Sequence, residues 1–266
     1  MSENCDKNLE TIQNQENNDE KINDNDQECK SDEFYEHAKK YWAKIPATVD
    51  GMLGGFGFIS DTDIKGSRLF LKSLFNLNNG PDRDRALDCG AGIGRITKHL
   101  LAPIFKKVDM VEQNPNFIKN SLNYIGKYEH KIGEKFVAGL QEFVPKDQYY
   151  DVIWCQWVLG HLKDEHLHQF LTLCQSGLKK NGVIVIKENV TSSDQVEMDT
   201  EDSSVTRPHS LLVKIFEESN LQILKDVKQT NFPKGLYGVH MFALKSKTVK
   251  SEVNLHEKLN QLNVND

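Results

Sequence analysis

The chain has 266 residues, 33 basic and 39 acidic side chains for a net charge of −6, and 38% hydrophobic residues, which bounds it to one large domain or two small ones. No apolar run approaches the ~20 residues of a membrane-spanning helix, and the N-terminus lacks the basic and apolar regions of a secretory signal. Five dispersed cysteines without a CxxC pair argue against a disulfide framework or structural zinc, and for a reducing compartment.

The acidity is local. Residues 1–33 carry eleven Asp/Glu, three Lys and only six apolar residues, too little apolar surface to offset ordering, which predicts a disordered acidic tail. The rest is nearly neutral, with 30 basic and 28 acidic residues, so bulk charge says little about a partner. Residues 34–43 space apolar side chains as a helix that must end before Pro46. VDGMLGGFGFIS (49–60) is both Gly-rich and apolar, as expected of a loop that covers a pocket or packs on the core. Ser60 and Asp63 read as the N-cap and N3 acid of a helix reaching about Phe75, and 78–81 is a break.

From Arg85, strands over 86–89, 107–112, 135–139, 150–158 and 182–189 alternate with helices starting at 95 and spanning 114–126, 164–178 and 208–220. Strands over 221–230 and 237–245 close the pattern. This order predicts an α/β fold of βαβ units, with a mostly parallel sheet closed by an antiparallel hairpin. The expected domain limits are a tail over 1–33, a folded unit over 34–245 (helices and Gly-rich lid 34–80, sheet 85–245) and a polar C-terminal tail over 246–266.

Ligands of such sheets sit at the carboxyl ends of the strands, where Gly90, Glu112, Leu140, Gln141, Gln156 and Trp157 fall. LDCGAGIGR places glycines at 90, 92 and 94 in a strand–helix turn, which lets a ligand approach the backbone and opens onto free helix N–H groups. Arg95 can grip a carboxylate in two places. Glu112, 24 residues after Asp88, can accept both hydroxyls of a ribose. A Gly-rich turn alone is also compatible with a plain tight turn. The GxGxG spacing without a Walker lysine argues against P-loop chemistry.

The GxGxG turn, the acid one strand later and the closing hairpin resemble a class I S-adenosylmethionine-dependent (Rossmann-like, seven-stranded) methyltransferase. The resemblance then narrows. YWAKIPATVDGMLGGFGFIS, ALDCGAGIGRITKHLL, VDMVEQN, DVIWCQWVLGHL, GVIVIKEN and DSSVTR resemble the protein α-N-terminal methyltransferases, which act on Xaa-Pro-Lys/Arg termini, over residues 34–245. The resemblance implies S-adenosylmethionine as cofactor, held by Gly90, Gly92, Arg95, Glu112, Gln113, Asn114, Leu140, Gln141 and Gln156. It implies Asp202 and His161 as proton acceptors, and Trp42, Leu53, Ile59, Trp157, Asn189, Asp199, Ser204 and Tyr237 along the peptide. Two features depart from the family pattern: Glu112 where Asp is common, and the stretch TSSDQVEMDTED.

The plainer readings stand beside these. Trp42 suits a core helix, His161 a surface or capping histidine, and Asp202 and Ser204 a helix cap; Trp154 reads as core. His166 and His168 are two apart on a helix and face different ways, so no metal is expected. No basic stripe marks a nucleic-acid partner. The resemblance implies protein substrates with free termini, one to three added methyls, and residence in nucleus and cytoplasm. Methylation of a small amine, and a non-catalytic S-adenosylmethionine-binding regulator, remain as alternatives.

Overall fold

The computed structural model describes residues 24–247, with side chains from Glu33 onward. Helices α1 (Asp24–Lys44), α2 (Val49–Met52) and α3 (Ser60–Phe75) precede the sheet. Then come β1 (Arg85–Cys89), a π-turn at Thr97–Leu101 continuing as α4 (Ala102–Ile104), β2 (Lys107–Glu112), α5 (Pro115–Ile125), β3 (Ile132–Val137), β4 (Tyr150–Gln156), α6 (Asp164–Gly177), β5 (Leu178–Thr191), β6 (Glu197–Asp199), β7 (Ser204–Pro208), α7 (His209–Glu218), β8 (Leu221–Lys228) and β9 (Gly238–Ser246).

Strands β3, β2, β1, β4 and β5 lie side by side and parallel. β9 is antiparallel to β5, and β8 to β9. This is the expected seven-stranded sheet with its closing hairpin. Every residue of β4 is buried, as a central parallel strand covered on both faces requires. One face packs Leu87, Ile153 and Ile184 with residues of α6 and α7. The other packs Ala86, Val152 and Trp154 with α3 and the segment after the glycine turn. No helix of the described residues is long and apolar enough to cross a membrane.

Four details differ from the sequence-based expectation. α1 starts at Asp24, inside the stretch expected to be disordered. Residues 24–33 contain no glycine or proline, and a helix nucleated downstream extends backward at little cost. The limits proposed for the tails otherwise lie mostly outside the described residues. Ser60 is not an N-cap: Ile59 holds that position without a side-chain bond, and Asp63 points into the interior. A short hairpin, β6–β7, is inserted where no strand was expected; β7 pairs only with Val190 and Thr191 at the end of β5. Its polar residues bury too little to mark a strand. Finally, the helix after the glycine turn widens into a π-turn beside Pro103, which has no N–H for the His99 carbonyl; Arg68 Nη2 donates to that carbonyl instead, at 2.7 Å.

Candidate active site

A cleft opens at the carboxyl ends of β1, β2 and β4. Eight of the expected cofactor residues line it: Gly90, Gly92, Arg95, Glu112, Gln113, Leu140, Gln141 and Gln156. Gly90 has φ +67°, and a Cβ there would stand 2.4 Å from Val158 Cγ2, so the turn needs glycine for both conformation and space. The Glu112 carboxylate is held at both oxygens, accepting from Gly92 N at 3.0 Å and Asn114 N at 2.8 Å. Burial raises its pKa, against the pull of those N–H groups.

Asn114 does not line the cleft. Its side-chain oxygen caps α5 by accepting from Asn116 N at 2.9 Å, and its amide donates to Trp42 O at 3.1 Å. It joins α1 to the cofactor wall rather than forming that wall. Tyr35, Ala38 and Trp42 of α1 do line the cleft, as do Met52 and Phe117. Of these only Trp42 was expected, although the spacing of 35, 38 and 42 marks one helix face.

Behind the cleft lies a buried polar network that sequence reasoning missed. Asp63 and Lys187, both 0% exposed, form an ion pair at 2.5 Å. Asp63 also accepts from Arg95 Nη1 at 2.6 Å and from Gln156 Nε2 at 2.8 Å. Lys187 Nζ further donates to Ser67 Oγ at 3.0 Å and Gln229 Oε1 at 2.9 Å. Burial alone would raise the Asp63 pKa, but Lys187 and Arg95 outweigh it and hold it below the usual range. Trp154, read as core, is buried and donates to Gln156 Oε1 at 3.2 Å. Two cofactor-facing side chains, Arg95 and Gln156, are thus aimed by one carboxylate on α3. The available signal was Lys187 itself, a charge inside a β-branched strand.

Elsewhere on the cleft wall Trp42 and His161 meet, and Trp157 lines the same cleft. Trp42 Nε1 donates to His161 Nε2 at 3.0 Å, and His161 Nδ1 lies 3.3 Å from Ser203 O. An indole N–H can only donate, so Nε2 accepts and Nδ1 carries the proton toward Ser203. Burial lowers the His161 pKa, opposed by Asp202, whose Oδ2 lies 3.9 Å from Nε2. Asp202 Oδ1 and Trp157 Nε1 are buried without a hydrogen-bond partner among the described residues. Trp157 and Ser203 both have φ +52°, a left-handed conformation unusual for such residues. His37 on α1 bonds Ser203 Oγ at 2.8 Å, while the Glu188 carboxylate accepts from Val158 N and Leu159 N, each at 2.8 Å. Burial pushes Glu188 up to about 7.

The other expected substrate residues lie off the cleft wall. Tyr237 Oη donates to Glu197 Oε2 at 2.6 Å, and Ser204 pairs with Asp199 across β6–β7, so all three sit on an acidic rim. Asn189 lies on β5 opposite Val239. Leu53 is buried at 8% exposed, beside Met52, which reaches the cleft. Ile59 lines a separate groove with Phe58 and Phe232, and the Phe232 ring centroid is 6.5 Å from that of Trp157.

Residues 30–245 match the family model described as AdoMet dependent proline di-methyltransferase. The chain belongs to that family. It is 49% identical over 215 residues to N-terminal Xaa-Pro-Lys N-methyltransferase 1 of Xenopus tropicalis, a match covering 80% of this chain and 96% of the relative. It is 47% identical over 216 residues to the protein of that name from Homo sapiens, with the same coverage. A solved S-adenosylmethionine-dependent methyltransferase from Leishmania major superposes with a TM-score of 0.75 at 36% identity, covering 80% of this chain and 83% of that one.

S-adenosylmethionine is the cofactor of this proline di-methyltransferase family, and the cleft fits it. Glu112, fixed at both oxygens, would take the ribose hydroxyls. Arg95 would take the amino-acid carboxylate, and the bare backbone at Gly90 leaves room where any side chain would intrude.

Proposed function

We propose that this methyltransferase modifies the α-amine of proteins whose N-terminus reads Xaa-Pro-Lys or Xaa-Pro-Arg once Met is removed. The observation that carries the reading is the meeting of Trp42, His161 and Asp202 between the cofactor cleft and the acidic β6–β7 rim. The names of the relatives, N-terminal Xaa-Pro-Lys N-methyltransferase 1, support the same substrate class.

When bound, S-adenosylmethionine supplies a methyl group on a sulfonium, open to attack by a neutral amine. An α-amine titrates near ~8, so it arrives mostly as ammonium at neutral pH. Asp202 Oδ1, buried without a partner among the described residues, accepts a hydrogen bond from that ammonium. The same carboxylate stabilises the charge and so opposes proton loss; Asp202 therefore holds the amine more readily than it frees it. His161, kept neutral by burial, takes the proton at Nε2 when the Trp42 indole N–H gives way. The faces of Trp42 and Trp157 suit both an ammonium and a proline ring. Phe232, beside Trp157, continues that apolar wall. Asp199 and Glu197 on the rim offer carboxylates to a third-position Lys or Arg.

The test is a Ser-Pro-Lys peptide incubated with labelled S-adenosylmethionine and followed by mass spectrometry. Methyl groups are expected on the free terminus and none on its acetylated twin. Equal labelling of both would remove the α-amine as the target, and a small amine that reacts where the peptide neither reacts nor competes would replace the substrate class.

A further inference from the structure

We propose that His209, Asp226 and His240 form a binding site for a divalent transition metal of the zinc type, outside the methyl-transfer cleft. No sequence pattern hints at it, since the three residues come from three elements and share no ligand spacing. The fold brings them together. His209 opens α7, Asp226 lies on β8 and His240 on β9. In the antiparallel β8–β9 pair, Lys228 faces His240 and Asp226 faces Phe242. Asp226 and His240 are therefore diagonal neighbours on the sheet face that carries α7.

The geometry is close to that of a coordination site. His209 Nε2 lies 2.6 Å from Asp226 Oδ2, and His240 Nδ1 lies 2.9 Å from Asp226 Oδ1. One ligand atom from each residue lies within 4.8 Å of the others. Tetrahedral zinc, with bonds of about 2.0–2.1 Å, needs its ligand atoms roughly 3.3 Å apart. The two imidazoles already pack on Phe242, with centroids 5.4 and 5.8 Å from its ring. Side-chain exposures of 41%, 29% and 21% for His209, Asp226 and His240 leave an entry path and room for a water as fourth ligand.

The donor set selects the class of ion. Two imidazole nitrogens and one carboxylate oxygen suit zinc, cobalt, nickel or copper, whereas magnesium and calcium prefer all-oxygen shells. On binding, the proton that each ring now directs at Asp226 moves to the far ring nitrogen, and the rings enter as neutral ligands. None of the three residues lines the S-adenosylmethionine cleft, so the ion clasps the start of α7 to the closing hairpin without entering the reaction.

The experiment uses the full-length chain, freed of any affinity tag and stripped with chelator, titrated with Zn²⁺ by calorimetry and followed by thermal melting. The wild type should bind one equivalent more than the His209→Ala/His240→Ala double variant, and Zn²⁺ should raise the Tm of the wild type alone. Co²⁺ should produce a visible d–d spectrum that the variant lacks. Equal stoichiometry and equal Tm response in both proteins would overturn the site. Should the double variant fail to fold, judged by circular dichroism and S-adenosylmethionine binding, His240→Gln keeps a hydrogen-bonding side chain beside Asp226. Its Zn²⁺ affinity should fall at least tenfold, and unchanged affinity would overturn the proposal equally.

Discussion

The two walls of the cleft are built on different principles. The cofactor wall comes largely from one continuous stretch, the β1 turn through Glu112, and uses glycine backbone and one carboxylate fixed by N–H groups. The acceptor wall is assembled from α1, the loop after β4 and the turn between β6 and β7, with α1 more than a hundred residues from the other two in the chain. It also holds two non-glycine residues, Trp157 and Ser203, in left-handed backbone, a conformation that costs of order 1–3 kcal/mol each and persists only where surrounding contacts enforce it. Glu188 and His37 supply those contacts. The backbone of the first wall is set by local chain geometry, with Asp63 of α3 aiming Arg95 and Gln156 from behind, whereas the second wall exists only through tertiary structure.

If that division is correct, damage to each wall should have a distinct signature. The largest effect is expected from Asp63→Ala, which leaves Lys187 and Arg95 buried and unpaired. Urea unfolding should show a loss of about 3–5 kcal/mol, and calorimetry should show weaker S-adenosylmethionine binding because Arg95 and Gln156 lose their common partner. Stability and affinity both equal to wild type would erase the supporting role given to α3. Next, Asp202→Asn should lower turnover on a Ser-Pro-Lys peptide by about 10²-fold, the scale of a misplaced reacting group, because the charge that holds the ammonium in place is gone, with unchanged S-adenosylmethionine affinity. A matching loss of cofactor affinity would show that the walls are not separable.

Acidity gives a third, smaller contrast. Burial raises Glu188 from 4.5 to about 7 in the folded chain, so the fold binds a proton there more tightly than the unfolded chain does. Its contribution to stability is complete below pH 4.5 and is lost as pH rises through about 7. Glu188→Gln keeps an acceptor for the N–H groups of Val158 and Leu159 and should flatten that part of the stability–pH curve. An unchanged slope would assign the proton elsewhere, with Asp88, also raised to about 7 by burial, the next group to replace. The smallest effect is expected from Glu112→Asp: a shift of a few-fold in the KM for S-adenosylmethionine with kcat unchanged. A collapse of kcat would mean that the carboxylate's reach matters to more than the ribose.

The same division explains what could be read before the fold was known. That Gly90, Arg95, Glu112 and Gln156 line one cleft was legible because a turn and the strand ends beside it fix their places within a few residues. Asp63 was read as a helix-start acid because its partner Lys187 is 124 residues away, and nothing local marks a buried pair. Asn114 follows a strand end as a cofactor ligand should, yet it is also the N-cap of α5, and the cap took its side chain. Asp199, Ser204 and Tyr237 came from family resemblance alone. They gather on the rim because β6–β7 folds back there, an arrangement that no hydrophobic period in TSSDQVEMDTED announces.

At its end β5 divides its hydrogen bonds between two neighbours. β9 takes Ile184 through Val190, and β7 takes Val190 and Thr191. The continuity of the sheet therefore never passes through the β6–β7 hairpin. Such a fork makes the hairpin a module: outside Asp202 and Ser203 in its turn, its charge can drift, or be grafted from a relative, while the sheet closes as before. On the proposed role of the rim carboxylates, preference for the side chain after the proline of a substrate can change without renegotiating how the protein folds.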